Sequence, residues 1–142
     1  MKSDTAIADS LGRFTDHPHS IGDKSQGWDC LNSLLEFYRS MGVEMPVRFE
    51  DYDEMNYAKR WKRNSHRCMK DFSRFLKSLG EKIEISFAER GDFFILKTEV
   101  MDGCPAIHAG NGKMMLVLET GVRFVEINHL KKYIVEARRL IK

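Results

Sequence analysis

The sequence predicts an α+β domain, with N-terminal helices packed on one face of an antiparallel sheet. Three observations carry this expectation. Apolar residues recur at helical spacing through the first half of the chain. From Ile83 onward they alternate or run together as they do in strands. Three turn dipeptides, Asp102-Gly103, Asn111-Gly112 and Thr120-Gly121, punctuate the second half at regular intervals. A chain of 142 residues is long enough for one core and reads as a single domain over 1–142.

Along the chain, Ile7 and Leu11 are spaced i, i+4 and allow a short helix over 1–13. Pro18, Gly22, Asp23, Ser25 and Gly27 then make Phe14 to Gly27 a loop. The clearest helix runs from Cys30 to Met41, because Leu31, Leu34, Leu35 and Tyr38 follow the i, i+3, i+4, i+7 rule and Gly42 stands where a C′ residue is wanted. Asp29 is a natural N-cap, which places Cys30 at the first helical position. Tyr52 to Leu79 is helical again in two parts. Met55, Ala58 and Trp61 form the first; Cys68, Phe72, Phe75, Leu76 and Leu79 form the second, which Gly80 ends, with Asn64 and Ser65 interrupting or capping between them.

After Gly80, Ile83, Ile85 and Phe87 alternate with charged or small residues, and Gly91-Asp92 opens the buried strand Phe93-Phe94-Ile95-Leu96. The turn dipeptides then separate Cys104–Ala109, Lys113–Leu118 and Val122–Ile127 as an antiparallel meander. Asn128 to Lys142 fits either a short helix with a last strand or one longer helix, and the pattern does not choose between them.

Composition narrows the function classes. At 42% hydrophobic and 31% charged, the chain has too many apolar residues for disorder. Lys and Arg number 23 against 21 Asp and Glu, and a net charge of +2 gives no reason to expect a nucleic-acid partner. The N-terminus, Met-Lys-Ser-Asp-Thr-Ala-Ile-Ala-Asp-Ser, lacks the apolar run of a signal peptide, and no stretch approaches the ~20 apolar residues of a membrane helix. The expectation is a chain made in the cytoplasm without a membrane partner. Cys30, Cys68 and Cys104 are an odd number separated by 38 and 36 residues, which suits neither a disulfide framework nor the short paired spacing of a zinc site. No metal or cofactor is expected.

The most informative stretch is Gly27-Trp28-Asp29-Cys30 running into an amphipathic helix. A thiol at a helix N-terminus meets unpaired N–H groups and the positive end of the helix dipole, both of which favour a nucleophilic thiolate. The competing reading is a small hydrophobe tucked under the first turn.

Gly-Trp-Asp-Cys followed by Leu-Asn-Ser-Leu-Leu-Glu-Phe-Tyr-Arg-Ser-Met-Gly-Val-Glu-Met-Pro resembles the nucleophile helix of NlpC-type cysteine peptidases, papain-like enzymes that cut peptide bonds in bacterial cell-wall stems. Supporting pieces follow in family order: His17-Pro18-His19 upstream, Gly42 with Pro46, Gly91-Asp92-Phe93-Phe94 opening the sheet, and the hairpin Gly110-Asn111-Gly112-Lys113. The resemblance spans about residues 5–127, with an enlarged helical insertion at about 47–80. It implies a papain-like NlpC fold with Cys30 as nucleophile and Asp29 and His19 beside it, His19 standing where the family has a loop Tyr. The branch it resembles is encoded in phage and prophage tail clusters. That branch implies other tail-tip proteins as partners, cell-wall peptide as a further one, and the virion tail as destination.

The departures fall on the catalytic parts. In the family a His six residues before the first hairpin Gly acts as general base, and the residue here is Cys104. A polar residue after the hairpin orients that His, and its place is taken by Leu116. A thiol cannot replace imidazole as a base and Leu cannot orient one. His108 shares the strand face of Cys104, but four residues of strand span roughly 13 Å, beyond hydrogen-bond reach of Cys30 unless the strand slides. The leading expectation is therefore a tail-tip component with lost or weak hydrolase activity. The alternative is an active cysteine endopeptidase or amidase on peptidoglycan stem peptides, with His108 or His19 shuttling the proton.

Weaker signals are the basic run Lys59-Arg60-Trp61-Lys62-Arg63-Asn64-Ser65-His66-Arg67, a candidate anionic-polymer contact that reads more simply as a solvated helix face with Trp61 turned inward, and His17 with His19, which lack a third ligand for a metal. Met114, Met115, Phe72, Phe75 and Phe87 read as core or interface filling, and Cys68 as an inert buried thiol.

Overall fold

The computed structural model describes residues 26–45, 59–60, 62–97, 103–118 and 121–141. The expected helix over 1–13, the loop that follows it as far as residue 25, Pro46, and residues 47–58 and 61 of the expected insertion lie outside them.

The first helix, α1, spans Gln26–Ser40. It begins four residues before Cys30, so Asp29 lies within the helix rather than capping it, and Cys30 takes the fifth helical position instead of the first. Gly27 reads as loop punctuation, but a glycine costs a helix only about 1 kcal/mol, too little to fix a boundary alone. The C-terminus matches expectation. Gly42 adopts φ 83°, its N–H donates to Arg39 O at 3.0 Å, and the N–H of Val43 reaches back to Tyr38 O at 2.9 Å. This pair of bonds is a Schellman closure, which satisfies carbonyls the helix end would otherwise leave unpaired.

Residues 59–60 and 62–63 are helical, and Asn64 then caps α2, Ser65–Leu76, its side chain accepting from the N–H of Arg67 at 3.1 Å. Leu34, Leu35, Phe37, Tyr38 and Met41 of α1 and its turn pack with Cys68, Phe72 and Leu76 of α2. Cys68 is buried in this core, as its helix face predicts.

Among the described residues, six strands form one antiparallel sheet: β1 (Glu81–Ile83), β2 (Phe93–Leu96), β3 (Cys104–Gly110), β4 (Lys113–Leu118), β5 (Gly121–Glu126) and β6 (Ile134–Arg139), in the order β1-β6-β2-β3-β4-β5. The C-terminal stretch resolves into a short helix α3 (Ile127–Leu130), a 3-10 turn (Lys131–Tyr133) and a strand. Ile127 therefore belongs to α3, and β5 ends one residue earlier than expected.

Strand β6 lies between β1 and β2, which changes the stretch after Ile83. Both β1 and β2 are antiparallel to β6, so they run parallel to each other, and residues 84–92 must carry the chain back across β6 before β2 can start. The alternation through Ile85 and Phe87 does not extend β1. Ile85–Phe87 is a 3-10 turn in that crossover, and both apolar side chains are exposed.

The hairpin between β3 and β4 turns on Asn111 at φ 54° and Gly112 at φ 74°. Two successive positive φ values define the type I′ turn that Asn-Gly favours. Strand alternation then gives the sheet two apolar faces. Phe93, Ile95, Ile107 and Met115 join the cluster of α1 and α2. Phe94, Leu96, Cys104, Ala106, Met114, Leu116, Ile134 and Ala137 make a second cluster, against which Ala88, Ile127 and Leu130 pack.

One hydrogen bond ties α1 to the entrance of β2. The Tyr38 hydroxyl donates to Gly91 O at 2.6 Å, fully buried, with the tyrosine ring edge-on to Phe93 at 6.2 Å between centroids. Burial, with the Asp92 carboxylate adding to it, holds the phenol well above its ordinary range, so it remains a donor. Tyr38→Phe keeps the ring and strands the Gly91 carbonyl without that donor. Urea unfolding should show a loss of about 1–3 kcal/mol with an unchanged m-value; an unchanged midpoint would show that this bond adds nothing.

Candidate functional site

The resemblance directs attention to α1, β3 and β4. The backbone of Cys30 and Asp29 lies in the N-terminal half of α1, while their side chains, and the whole of His19, fall outside what the structure describes. The remaining candidates can be placed.

Cys104 opens β3 and is buried, its thiol within 3.8 Å of Pro105 O. Leu116 is buried on β4 in the same cluster. The side chains at the two positions where the resemblance implies a base and its orienter thus share an apolar environment with Phe94, Ala106 and Met114. That environment lies on the sheet face opposite the one against which α1 packs, since the α1 core is built on Phe93, Ile95, Ile107 and Met115.

His108 faces the same side as Cys104, as period-two alternation requires. Its ring lies 5.8 Å from that of Phe94, and its strand position pairs with Met114. The backbone there is held on both sides: the N–H of His108 donates to Asp92 O at 2.8 Å, and the N–H of Gly91 donates to His108 O at 3.0 Å. The N–H of Gly110 donates to Nδ1 at 3.0 Å, possible because the β3–β4 register shifts between His108 and Gly110. A ring whose Nδ1 accepts a backbone proton carries its own proton, when neutral, on Nε2.

Burial pushes the His108 imidazole below its ordinary value of 6.5, and the Arg90 guanidinium adds to the lowering. The carboxylates of Asp92 and Glu89 pull the other way without overcoming burial. His108 is therefore a neutral imidazole at neutral pH.

Beside it, Asp92 is buried and gathers three donors. Arg139 contacts its carboxylate through Nε at 3.0 Å and Nη2 at 2.8 Å, and the N–H of Glu89 donates to Oδ2 at 2.7 Å. That hydrogen-bonded pair raises the Arg139 guanidinium above its ordinary value. On the preceding residue of β6, Arg138 donates to the carbonyls of Leu79 and Gly80 and pairs with Glu136 at 2.6 Å, fastening the turn after α2 to β6.

His108 lines a pocket of about 600 Å³ on the sheet face away from α1. Phe94 and Ile134 form its floor, the crossover through Glu84 and Ala88 one wall, and Glu126, Ile127 and Lys131 another. These residues went unnoticed in the sequence because they come from four separated segments, brought together only when β6 inserts beside β2. Among the described residues, no three His, Cys, Asp or Glu side chains converge as a metal site. Residues 59–60, 62–64 and 66–67 of the basic run are mostly exposed, with Asn64 occupied as a helix cap.

Among the described residues, two helices pack against one face of a six-stranded antiparallel sheet, and similarity to a solved structure makes this a distant NlpC-like fold. The chain is similar to the crystal structure of an NlpC/P60 family protein from Bacillus cereus ATCC 10987, with a TM-score of 0.63 and 16% identity over 99% of this chain. It spans 41% of that protein's length. The chain belongs to the family described as Domain of unknown function (DUF6950), whose model matches residues 2–133. No curated protein matches it.

The state of His108 sets a pH dependence. Its folded value lies below the unfolded one, so the unfolded chain binds the proton more readily and stability falls as pH drops through the unfolded value. NMR titration should place the His108 midpoint below 6.5. His108→Gln should flatten the loss of stability between about pH 7 and 5 relative to the parent chain; an identical slope in both would assign that loss to other groups.

Proposed function

We propose that this chain is a papain-like NlpC domain serving as a structural or wall-peptide-binding component of a phage or prophage tail tip, with hydrolase activity lost or weak. The observation that carries the loss of activity is the surroundings of Cys104 and Leu116. Where the resemblance implies an imidazole base and a polar orienter, the chain has a thiol and an isobutyl group buried in one apolar cluster. A thiol and a hydrocarbon branch do not replace an imidazole base and the polar group that orients it. His108, the imidazole on that strand, is engaged at Nδ1 by Gly110. The fold of a wall-peptidase relative supports the peptide-binding half of the proposal.

The tail-tip setting rests on the family branch that the sequence resembles. It makes other tail-tip proteins the partners and stem peptide a further ligand, with synthesis in the host cytoplasm before assembly into the virion tail.

Two measurements test this reading. Purified chain incubated with purified peptidoglycan should release no new amino groups, and Cys30→Ala should behave identically. Release by the parent chain that disappears in Cys30→Ala would overturn the silent site and establish the cysteine peptidase instead. Mass spectrometry of purified tails from the encoding phage or prophage should find the chain as a stoichiometric component, and tails complete without it would exclude the structural role.

A further inference from the structure

The pocket beside His108 is independent of the thiol-bearing helix and of the tail-tip reading. It lies toward the hairpin end of β3, whereas Cys104 opens that strand at the other end. At about 600 Å³ it has the size of a small-molecule site.

Its walls are fixed by backbone bonds. The N–H of Ile127 donates to Gly112 O at 2.8 Å, joining α3 to the β3–β4 hairpin. On the other side, the N–H groups of Phe87 and Ala88 donate to Glu84 O and Ile85 O at 3.0 and 3.2 Å, closing the 3-10 turn. The floor is set in the sheet, where Phe94 is 2% exposed and Ile134 8%. A cavity with such walls has little ordering entropy left to lose when a ligand enters.

The lining combines an apolar floor with a definite charge. Ile85, Ala88, Phe94, Ile127 and Ile134 supply hydrocarbon, and the tilted Phe94 and His108 rings supply an aromatic surface. Glu84, Glu126 and Lys131 supply the ionised groups. Among the described residues none of these three has an ion-pair partner, and with His108 neutral the lining carries a net charge of about −1. The Glu126 carboxylate lies against Gly112, where an added Cβ would stand 4.0 Å from Oε2.

We propose that this pocket binds a small apolar primary amine, its hydrocarbon or aromatic body against Ile85, Ala88 and Ile127 above the buried floor of Phe94 and Ile134, and its ammonium held by the carboxylates of Glu84 and Glu126. The charge of the lining selects a monocation over a neutral or anionic molecule of the same shape. Lys131 opposes the ammonium and moderates its affinity.

Three near-isosteric probes isolate the charge: phenethylamine, 2-phenylethanol and 3-phenylpropionate, titrated into the full chain and followed by amide shifts at Phe94, Gly112 and Ile127. Phenethylamine should bind and shift all three residues. The alcohol should bind about tenfold more weakly, as expected for a lost charge-assisted contact of 1.4 kcal/mol, and the acid more weakly still. Glu84→Gln with Glu126→Gln, both at exposed positions, should make the amine bind more weakly than the alcohol, because Lys131 alone then charges the lining, without altering the circular dichroism. Lys131→Ala should tighten amine binding several-fold. Equal binding of amine and alcohol by the parent chain, preference for the acid, or no shift with any probe would each overturn the proposal. None of these results bears on peptidoglycan cleavage, so the two readings fail separately.

Discussion

Residues 91 and 92 hold the architecture together. Gly91 accepts the buried Tyr38 hydroxyl of α1 and donates its N–H to β3, while Asp92 accepts the N–H of His108 and anchors Arg139 of β6 through its carboxylate. Two adjacent residues therefore fix one helix and two strands relative to the start of β2. Such a node makes different demands on its members. The glycine contributes only backbone groups, the aspartate must remain ionised, and the tyrosine must remain protonated. Burial secures the last of these. The partly exposed guanidinium of Arg139 supplies a charge-assisted pair for a carboxylate that would be costly to bury alone.

From that node the sheet extends as a partition. Phe93 and Ile95 look toward the helices, Phe94 and Leu96 away, and β3 and β4 repeat the division with Ile107 and Met115 against Ala106, Met114 and Leu116. A strand buried on both faces cannot slide by one residue without exchanging its entire set of side chains between them. The side on which Cys104 and His108 sit is thus fixed by the same alternation that builds the core. Chemistry on these two residues belongs to the face carrying the crossover and α3, and a ligand meeting His108 meets Phe94 and Ile134 with it.

Much of this was legible in the chain. The α+β class, the α1 termination at Gly42, the Asn64 cap, the buried strand Phe93–Leu96 and the Asn-Gly hairpin each follow from a local rule that tertiary packing left in force. What local rules could not give was β6. Nothing near Ile134 signals that it will pair with Leu96 nearly forty residues earlier, yet that pairing shortens β1, turns Ile85 and Phe87 into a surface crossover and creates the pocket. The start of α1 departs from the local signal for another reason. Asp29 satisfies the statistics of an N-cap, but a helix can continue through such a residue at small cost, and here it reaches back to Gln26. Of the candidate site, the shared face of Cys104 and His108 was foreseeable from period two, whereas the partners of His108 were not.

The histidine shows how one backbone irregularity sets chemistry. The β3–β4 register shifts after His108, and the displaced Gly110 N–H becomes a donor to Nδ1. That contact would be lost if Nδ1 carried a proton, so it opposes the imidazolium in the same direction as burial does. The carboxylate of Asp92 would ordinarily favour the charged ring, but it is already committed to Arg139 and to the N–H of Glu89. Its residual field is therefore outweighed by desolvation. The node that stabilises the fold thus also determines that the imidazole on its flank is a neutral hydrogen-bonding group at neutral pH. A cationic ligand can approach such a ring without repulsion, which an imidazolium would not permit.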